Sequence, residues 1–191
     1  MKKVLIIIAG IPATGKTTYG NKISNELKIP IFSKDRFKEV IYDSVCDSSF
    51  GYEQKRKVGI SSYSVLYAIC EEMMKIGASF IIESNFTKDS AVRINELLEK
   101  YSYKGIVVKF DADLKTLHTR FLEREQTAER HPGLVANGVF DDFEKFKEIS
   151  QKARDFKLEK NEEILVDTTD FSQVNFEELL KKIENRCQNE R

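Results

Sequence analysis

Short apolar runs alternate with segments of helical period along the whole chain. The apolar runs are short enough to be strands, and they cover residues 4–9, 28–33, 78–83, 105–110 and 164–166. A first helix is predicted to begin at residue 16, and the later helices over residues 35–45, 57–76, 89–101, 113–126, 141–157 and 176–186. Residues 46–55, rich in Ser, Asp and Gly, are predicted to form a loop. This alternation predicts an α/β fold, a three-layer sandwich around a five-stranded parallel sheet.

A glycine-bounded segment follows the first predicted strand. Gly10, Gly15, Lys16 and Thr17 have the spacing G-x-x-x-x-G-K-S/T of a phosphate-binding loop. Backbone N–H groups and the positive end of the next helix would face one hollow there. We expect Lys16 to reach the β- and γ-phosphates of ATP and Thr17 to give its hydroxyl to Mg²⁺. The residues predicted to bind the nucleotide in this loop are Gly10, Ile11, Pro12, Ala13, Thr14, Gly15, Lys16, Thr17 and Thr18.

Composition narrows the class of protein. The 191 residues suit a single domain over residues 1–191, with a hydrophobic core large enough to be stable without disulfides or bound metal. The chain has 31 Lys and Arg against 31 Asp and Glu, so no global field draws it to nucleic acid or to an anionic membrane. Its first apolar run is far shorter than the roughly 20 residues that span a bilayer. Three scattered cysteines form no zinc pattern and favour reduced thiols in the cytoplasm.

An aspartate follows the second predicted strand closely. Asp35 could accept the proton of an acceptor hydroxyl that attacks the γ-phosphate. The alternative is an acidic residue that only stabilises the N-terminus of its helix. Lys34, Arg36 and Lys38 flank it, and one of them could hold an anionic acceptor, although a solvated helix face is the favoured interpretation.

A glutamate ends the third predicted strand. Glu83 could take Mg²⁺ through water or polarise the attacking group, with Asn85 orienting it. The alternative is that Glu83 caps the turn at Asn85. A charged residue that closes an apolar strand is costly unless it is paired, which favours a role in the site.

Two arginines lie four positions apart on one predicted helix. Arg120 and Arg124 therefore project from the same face, and guanidinium groups both stack on nucleobases and bind phosphate. The alternative is surface ion pairs with Glu123 or Glu125. Arg130 lies in the break that follows, where a mobile lid could bring it over the transferring phosphate.

Together these segments resemble the small P-loop kinases of the zeta-toxin-like group, also described as AAA-domain predicted kinases. Polynucleotide kinase domains and chloramphenicol phosphotransferase are related to this group. The resemblance extends over nearly the whole chain and implies a sheet of order 2-3-1-4-5, ATP with Mg²⁺ on the loop, and a helical lid at about residues 120–140. It also implies that Asp35 is the catalytic base, that Arg120 lies on the adenine side, and that Arg124 and Arg130 are lid arginines.

Two departures from the family pattern bear on the acceptor and on the metal, in that order. Polynucleotide kinases usually carry arginine three residues after the aspartate, where this chain has Lys38, and the third strand ends in Glu83 rather than the commoner aspartate. We therefore expect an ATP-dependent kinase that phosphorylates a hydroxyl of a small molecule, with an acceptor pocket near residues 46–57. The alternatives are a polynucleotide 5′-hydroxyl kinase and a non-catalytic ATP-binding regulatory module.

Overall fold

Strands and helices alternate along the chain as the sequence pattern predicts. The computed structural model describes residues 3–46, 51–136, 138, 140–159, 161 and 163–188. The strands are β1 (Val4–Gly10), β2 (Ile31–Ser33), β3 (Phe80–Ser84), β4 (Lys104–Asp111) and β5 (Glu163–Asp167). The helices are α1 (Lys16–Leu27), α2 (Lys34–Val45), α3 (Tyr52–Lys75), α4 (Lys88–Tyr101), α5 (Leu114–Glu125), α6 (Phe143–Arg154) and α7 (Phe176–Gln188). Short 3₁₀ turns lie at Pro132–Leu134 and Phe171–Gln173.

The five strands are parallel and lie in the order β2-β3-β1-β4-β5, which confirms the predicted topology. Every residue of the central strand β1 is buried, as expected when helices cover both faces of a parallel sheet. Because the five strands run the same way, they end along one edge, at Gly10, Ser33, Ser84, Asp111 and Asp167. Ligands of open α/β sheets bind outside that edge.

Alternate side chains of β1 enter two different cores, which makes the fold three layers deep. Leu5 and Ile7 pack in a cluster with side chains of α3 and α4. Ile6 and Ile8 pack on the opposite face with side chains of α1 and α7. A third cluster joins α5 and α6 to Ile11 of the glycine-rich loop. The third cluster therefore attaches α5, which carries Arg120 and Arg124, to the loop.

Helix α3 begins earlier than predicted. Residues 47–50 of the predicted loop lie outside the described residues, but the part from Tyr52 onward is already helical. The prediction was wrong there because the helix formers Glu-Gln-Lys-Arg at residues 53–56 show no apolar period. α3 is the longest helix described, with 24 residues, and neither it nor any other described helix is apolar enough to cross a membrane.

Candidate active site

The glycine-rich loop between β1 and α1 depends on two glycines. Gly10 has φ +148°, and a Cβ atom there would lie 2.2 Å from the carbonyl oxygen of Phe110 on β4. Gly15 caps α1 in the left-handed region, with φ +78°, where side chains are disfavoured. The Thr14 hydroxyl closes the turn by donating to the Ile11 carbonyl at 2.8 Å. The loop therefore holds its curved backbone at the N-terminus of α1, as an anion site requires.

Lys16 lies in the first turn of α1 with its side chain buried. Its Nζ donates to the Ile11 carbonyl at 3.1 Å and lies 4.0 Å from Oε1 of Glu83. Burial lowers the pKa of Lys16, while the charges of Glu83 and Asp35 act in the opposite direction. The ammonium group is thus held across the loop with two carboxylates within electrostatic reach.

Glu83 of β3 is 2% exposed and is held by two hydroxyl groups. Ser33 donates to its Oε2 at 2.7 Å and Thr17 donates to the same atom at 3.3 Å. Ser33 and Thr17, rather than the predicted Asn85, donate to this carboxylate, and the backbone carbonyl of Asn85 accepts the Tyr63 hydroxyl at 3.2 Å. The sequence did not reveal Ser33 because the contact depends on the register that pairs Ser33 with Glu83.

The Thr17 hydroxyl and the Glu83 carboxylate form an oxygen donor set that fits Mg²⁺. Magnesium prefers oxygen ligands and is usually held by one or two carboxylates or hydroxyls together with substrate phosphates. No cluster of three His, Cys, Asp or Glu side chains suited to a metal occurs in the part of the chain that the structure describes. A metal at this position would therefore depend on a bound nucleotide for its other ligands.

Asp35 lies in the first turn of α2, directly after β2, and forms an ion pair with Lys34. Its side chain is 42% exposed, so a bound molecule could reach it. Burial by itself raises the pKa of Asp35, but the positive charges of Lys34, Lys16 and Lys38 outweigh that effect and lower it below the ordinary value. The carboxylate is therefore ionised at neutral pH.

Lys34 turns inward instead of lying on a solvated helix face, so the sequence-based interpretation was wrong for this residue. Its side chain is 13% exposed, and Nζ lies 5.4 Å from the ring centroid of Tyr63. Burial lowers the pKa of Lys34, but the charge and hydrogen bond of Asp35, together with Tyr63 and Glu83, more than offset this, and the net shift is upward. Arg36, by contrast, is exposed and pairs with Glu39 on the outer face at 3.0 Å, as predicted.

Lys38 lies one helical turn after Asp35, on the side of α2 that faces α3. Its Cε would touch a Cβ atom built on Gly59 at 3.8 Å. Burial and the positive charges of Lys34 and Arg130 lower the pKa of Lys38, while Asp35 acts the other way. Among the described residues, its ammonium group makes no hydrogen bond and no ion pair within 4.0 Å. The cleft therefore holds more positive charge than its own carboxylates neutralise.

Arg120 of α5 binds the loop that follows β5. Its Nη1 donates to the Thr168 carbonyl at 2.7 Å and its Nη2 to the Thr169 carbonyl at 2.8 Å. Its Cζ lies 4.1 Å from the ring centroid of Phe171. Arg120 therefore does not form the surface ion pair with Glu123 or Glu125 that was the alternative prediction.

Arg124 has a buried Nε with no hydrogen-bond partner. Its Cζ lies 5.5 Å from the ring centroid of Phe121. Burial and the charge of Arg130 lower the pKa of Arg124, although carboxylates that include Asp35 act against this. Buried polar groups are nearly always hydrogen-bonded in folded proteins, so the unpartnered Nε of Arg124 is an exception that a bound ligand could satisfy.

Arg130 is fixed within the segment between α5 and α6. Its Nε donates to Oε1 of Glu125 at 2.7 Å, and its Nη2 donates to the Leu134 carbonyl at 2.8 Å. The other oxygen of Glu125 accepts the Ala136 N–H at 2.7 Å. Glu125 therefore pairs with Arg130, and its two hydrogen bonds give this segment a defined shape.

A family model described as an AAA domain matches residues 5–148. The chain belongs to this AAA-domain family. The match extends from β1 into α6, so it includes the loop, Glu83 and the arginines of α5. It confirms the P-loop kinase group inferred from the sequence motifs, whereas a search of curated proteins found no match.

Solved structures share the whole fold with this AAA-domain protein. A candidate kinase from Chloroflexus aurantiacus J-10-fl is 29% identical, with a TM-score of 0.83 over 97% of this chain and 99% of that chain. Kti12 from Chaetomium thermophilum, crystallised with ADP-AlF3, is 14% identical, with a TM-score of 0.59 over 97% and 100%. Shikimate kinase from Bacteroides thetaiotaomicron is 12% identical, with a TM-score of 0.55 over 95% and 97%. The fold and the loop are those of a nucleotide-binding protein.

In this AAA-domain protein, the segment after α5 rests on α2. A Cβ atom on Gly133 would lie 2.9 Å from the side chain of Tyr42, so the Gly133 backbone packs directly against that side chain. The His131 ring meets Tyr42 edge-on at 5.8 Å, and its Nε2 lies 3.0 Å from Oδ1 of Asp43. These contacts join the arginine-bearing segment to the helix that carries Asp35.

Proposed function

We propose that this protein is an ATP-dependent kinase that transfers the γ-phosphoryl group of ATP to a hydroxyl of a small molecule. One observation carries the proposal: the ionised, partly exposed carboxylate of Asp35 lies within electrostatic reach of both Lys16 and the unpartnered Arg124. A protein that only binds a nucleotide needs no such carboxylate, whereas phosphoryl transfer to an alcohol does. The similarity to a candidate kinase from C. aurantiacus supports the same reading.

The loop and its lysine would bind the phosphates of ATP. Backbone N–H groups of the loop, other than at Pro12, which has none, would surround the β-phosphate, and Lys16 would neutralise charge on the β- and γ-phosphates. Thr17 and Glu83 would hold Mg²⁺, which supplies positive charge to these phosphates when it is bound. Arg120 lies on the adenine side of the site.

Asp35 acts as the general base in this proposal. It accepts the proton of the acceptor hydroxyl while that oxygen bonds to the γ-phosphorus. The bond from the γ-phosphorus to the bridging oxygen breaks at the same time, and ADP leaves with its electron pair. The neighbouring Lys34 keeps the carboxylate ionised between turnovers.

The arginines would stabilise the charge of the transferring group. Arg124, whose buried Nε has no partner within the protein, would donate to the oxygens of the γ-phosphoryl group. Arg130 adds positive charge beside it and is oriented by Glu125. In this proposal the chain is one domain, residues 1–191, and residues 120–140 are its lid. Contacts of the lid with α2 would place the positive charges of Arg124 and Arg130 near the acceptor.

The acceptor pocket lies between α2 and α3 in this proposal, beside Asp35 and Lys38. A small molecule suits the site better than a polynucleotide end because the chain has no net charge to attract nucleic acid. Lysine rather than arginine at position 38 also favours a small acceptor. We place the activity in the cytoplasm because Cys70 and Cys187 are free thiols.

An acceptor screen tests the proposal. Purified protein is incubated with ATP, Mg²⁺ and separate pools of small alcohols and of 5′-hydroxyl oligonucleotides, and ADP release is followed. We expect one small-molecule pool to raise ADP release, and we expect Lys16→Ala to abolish that release while Lys22→Ala, an exposed lysine on the same helix, leaves it intact. ATP binding without transfer to any pool would instead indicate a regulatory module, and transfer to the oligonucleotide would indicate a polynucleotide kinase.

A further inference from the structure

The ion pair of Lys34 with Asp35 joins two successive residues of one helix. Successive side chains of an α-helix project about 100° apart, so they do not ordinarily face each other. Lys34 is nevertheless paired with Asp35, and its side chain is only 13% exposed. A long, flexible side chain loses conformational entropy when it is held in this way, so a second contact is needed to keep it there.

Tyr63 of α3 supplies the second contact. The Nζ atom of Lys34 lies 5.4 Å from the centroid of the Tyr63 ring, within the distance at which an aromatic face attracts a cation. Lys34 makes no other hydrogen bond or ion pair among the described residues. Its ammonium group is therefore held between a carboxylate and an aromatic ring.

Tyr63 is itself anchored at the end of β3 that carries Glu83. Its hydroxyl lies 2.9 Å from Oγ of Ser84 and donates to the Asn85 carbonyl at 3.2 Å. A hydroxyl has one proton, so when Tyr63 donates to Asn85 it accepts from Ser84. The ring also stacks on Tyr67, with 6.0 Å between the centroids. The position of the ring relative to the sheet is therefore fixed from both its edge and its face.

We propose that Tyr63 is a positioning residue for phosphoryl transfer, whose ring holds the Lys34 ammonium against the Asp35 carboxylate. The inference rests on the proposed function, because it takes Asp35 to be the base. Tyr63 acts only through Lys34, since its own hydroxyl is engaged with β3. Helix α3 thereby contributes to the chemistry, although it carries none of the catalytic residues that the sequence predicted.

The titration of Asp35 reports whether Lys34 is in place. The titratable and charged groups that act on it come from four helices, and they are Lys34 and Lys38 of α2, Lys16 of α1, Tyr63 of α3 and Arg124 of α5. Burial raises the pKa of Asp35, and Lys34 is the largest of the influences that oppose burial. Glu83 of β3 acts on Lys34, and His131, after α5, faces Asp43 instead. Displacement of Lys34 should therefore raise the pKa of Asp35.

Carboxyl NMR of the ligand-free protein tests the inference. Aspartate labelled with ¹³C at the carboxyl carbon is followed through a pH titration, and the Asp35 signal is the one missing from Asp35→Asn. In Tyr63→Leu its midpoint should move to higher pH, because Lys34 loses the ring that holds it. In Tyr63→Phe the midpoint should stay where it is, because the ring remains. If Tyr63→Leu gives no folded spectrum, Tyr63→Met, with a longer side chain to fill the space, carries the same expectation.

Two controls separate this role from general packing. Tyr101→Leu removes a tyrosine of α4 whose hydroxyl donates to Glu71 at 2.7 Å, and it should leave the Asp35 midpoint unchanged. Lys34→Met should itself raise the midpoint. Adding Tyr63→Leu to Lys34→Met should raise it no further, because the ring then has no ammonium group to hold.

Phosphoryl transfer gives a second measurement, with the acceptor pool that raises ADP release. Tyr63→Leu should lower kcat by about tenfold or more with the KM for ATP unchanged, because a displaced base is costly. The inference is overturned if Tyr63→Leu leaves the Asp35 midpoint or kcat unchanged, if Tyr63→Phe moves the midpoint as far, or if Tyr63→Leu moves it equally without Lys34. If no pool accepts phosphate from the unmodified protein, the proposed function fails, and the titration still decides whether Tyr63 acts on Asp35.

Discussion

Replacing Arg124 by methionine should make the protein more stable and less active. The variant removes a buried Nε that has no hydrogen-bond partner, and such an orphaned group costs about 1–3 kcal/mol. It also removes the contact of the guanidinium with Phe121, worth about 0.5–1 kcal/mol, part of which a methionine sulfur restores. The net gain is about 0.5–2 kcal/mol, which for a chain of this size raises the melting temperature by about 1–8 °C. Phosphoryl transfer should fall by about 10²-fold or more, because the charge on the transferring group loses a donor.

The assay pairs thermal unfolding of the ligand-free protein with the rate of ADP release. Arg93→Met is the matched control, because Arg93 is an exposed arginine on α4 that pairs with Glu96 at 3.1 Å. Such a surface pair is worth less than about 1 kcal/mol, so this variant should change neither quantity much. A melting temperature of Arg124→Met that is unchanged or lower would refute the claim that the buried Nε lacks a partner. Full activity would refute its role at the phosphoryl group.

Two further variants test the loop and the base. Gly10→Ala should lower the free energy of unfolding by about 3 kcal/mol or more in urea, because the new Cβ would lie 2.2 Å from the Phe110 carbonyl at φ +148°; an unchanged midpoint would contradict the loop geometry. Lys34→Met should move the acidic limb of the kcat/KM profile to higher pH. Burial raises the pKa of Asp35 and the charge of Lys34 lowers it, so the pKa rises when that charge is lost. A limb that does not move would contradict the electrostatic assignment.

The sequence predicted the sheet and the phosphate loop well, because both depend on local patterns. Each buried strand is a short apolar run, and the loop motif is carried by a few consecutive residues that include Gly15 and Lys16. The order of the strands came from the family resemblance. Where no pattern exists, as in the polar first turn of α3, the prediction was wrong.

Contacts between distant segments could not be predicted from the sequence. Ser33 reaches Glu83 only because β2 and β3 pair in one particular register, and a strand sequence does not specify the register of its partner. Lys34 was assigned to solvent because flanking lysines usually are, whereas the neighbouring ring of Tyr63 and the carboxylate of Asp35 draw it inward. The candidate site was therefore predictable as a set of residue types, and its hydrogen bonds were not.

The central claim is that Asp35 takes the proton of the acceptor hydroxyl while the loop binds ATP independently of it. Rapid-quench measurement of phosphoryl transfer from γ-labelled ATP, set beside the ATP affinity, tests this in Asp35→Asn. The account predicts ATP affinity that is equal or tighter, because a negative charge near the phosphates is removed, with transfer slower by about 10²-fold or more. Transfer by Asp35→Asn at the rate of the unmodified protein would contradict it.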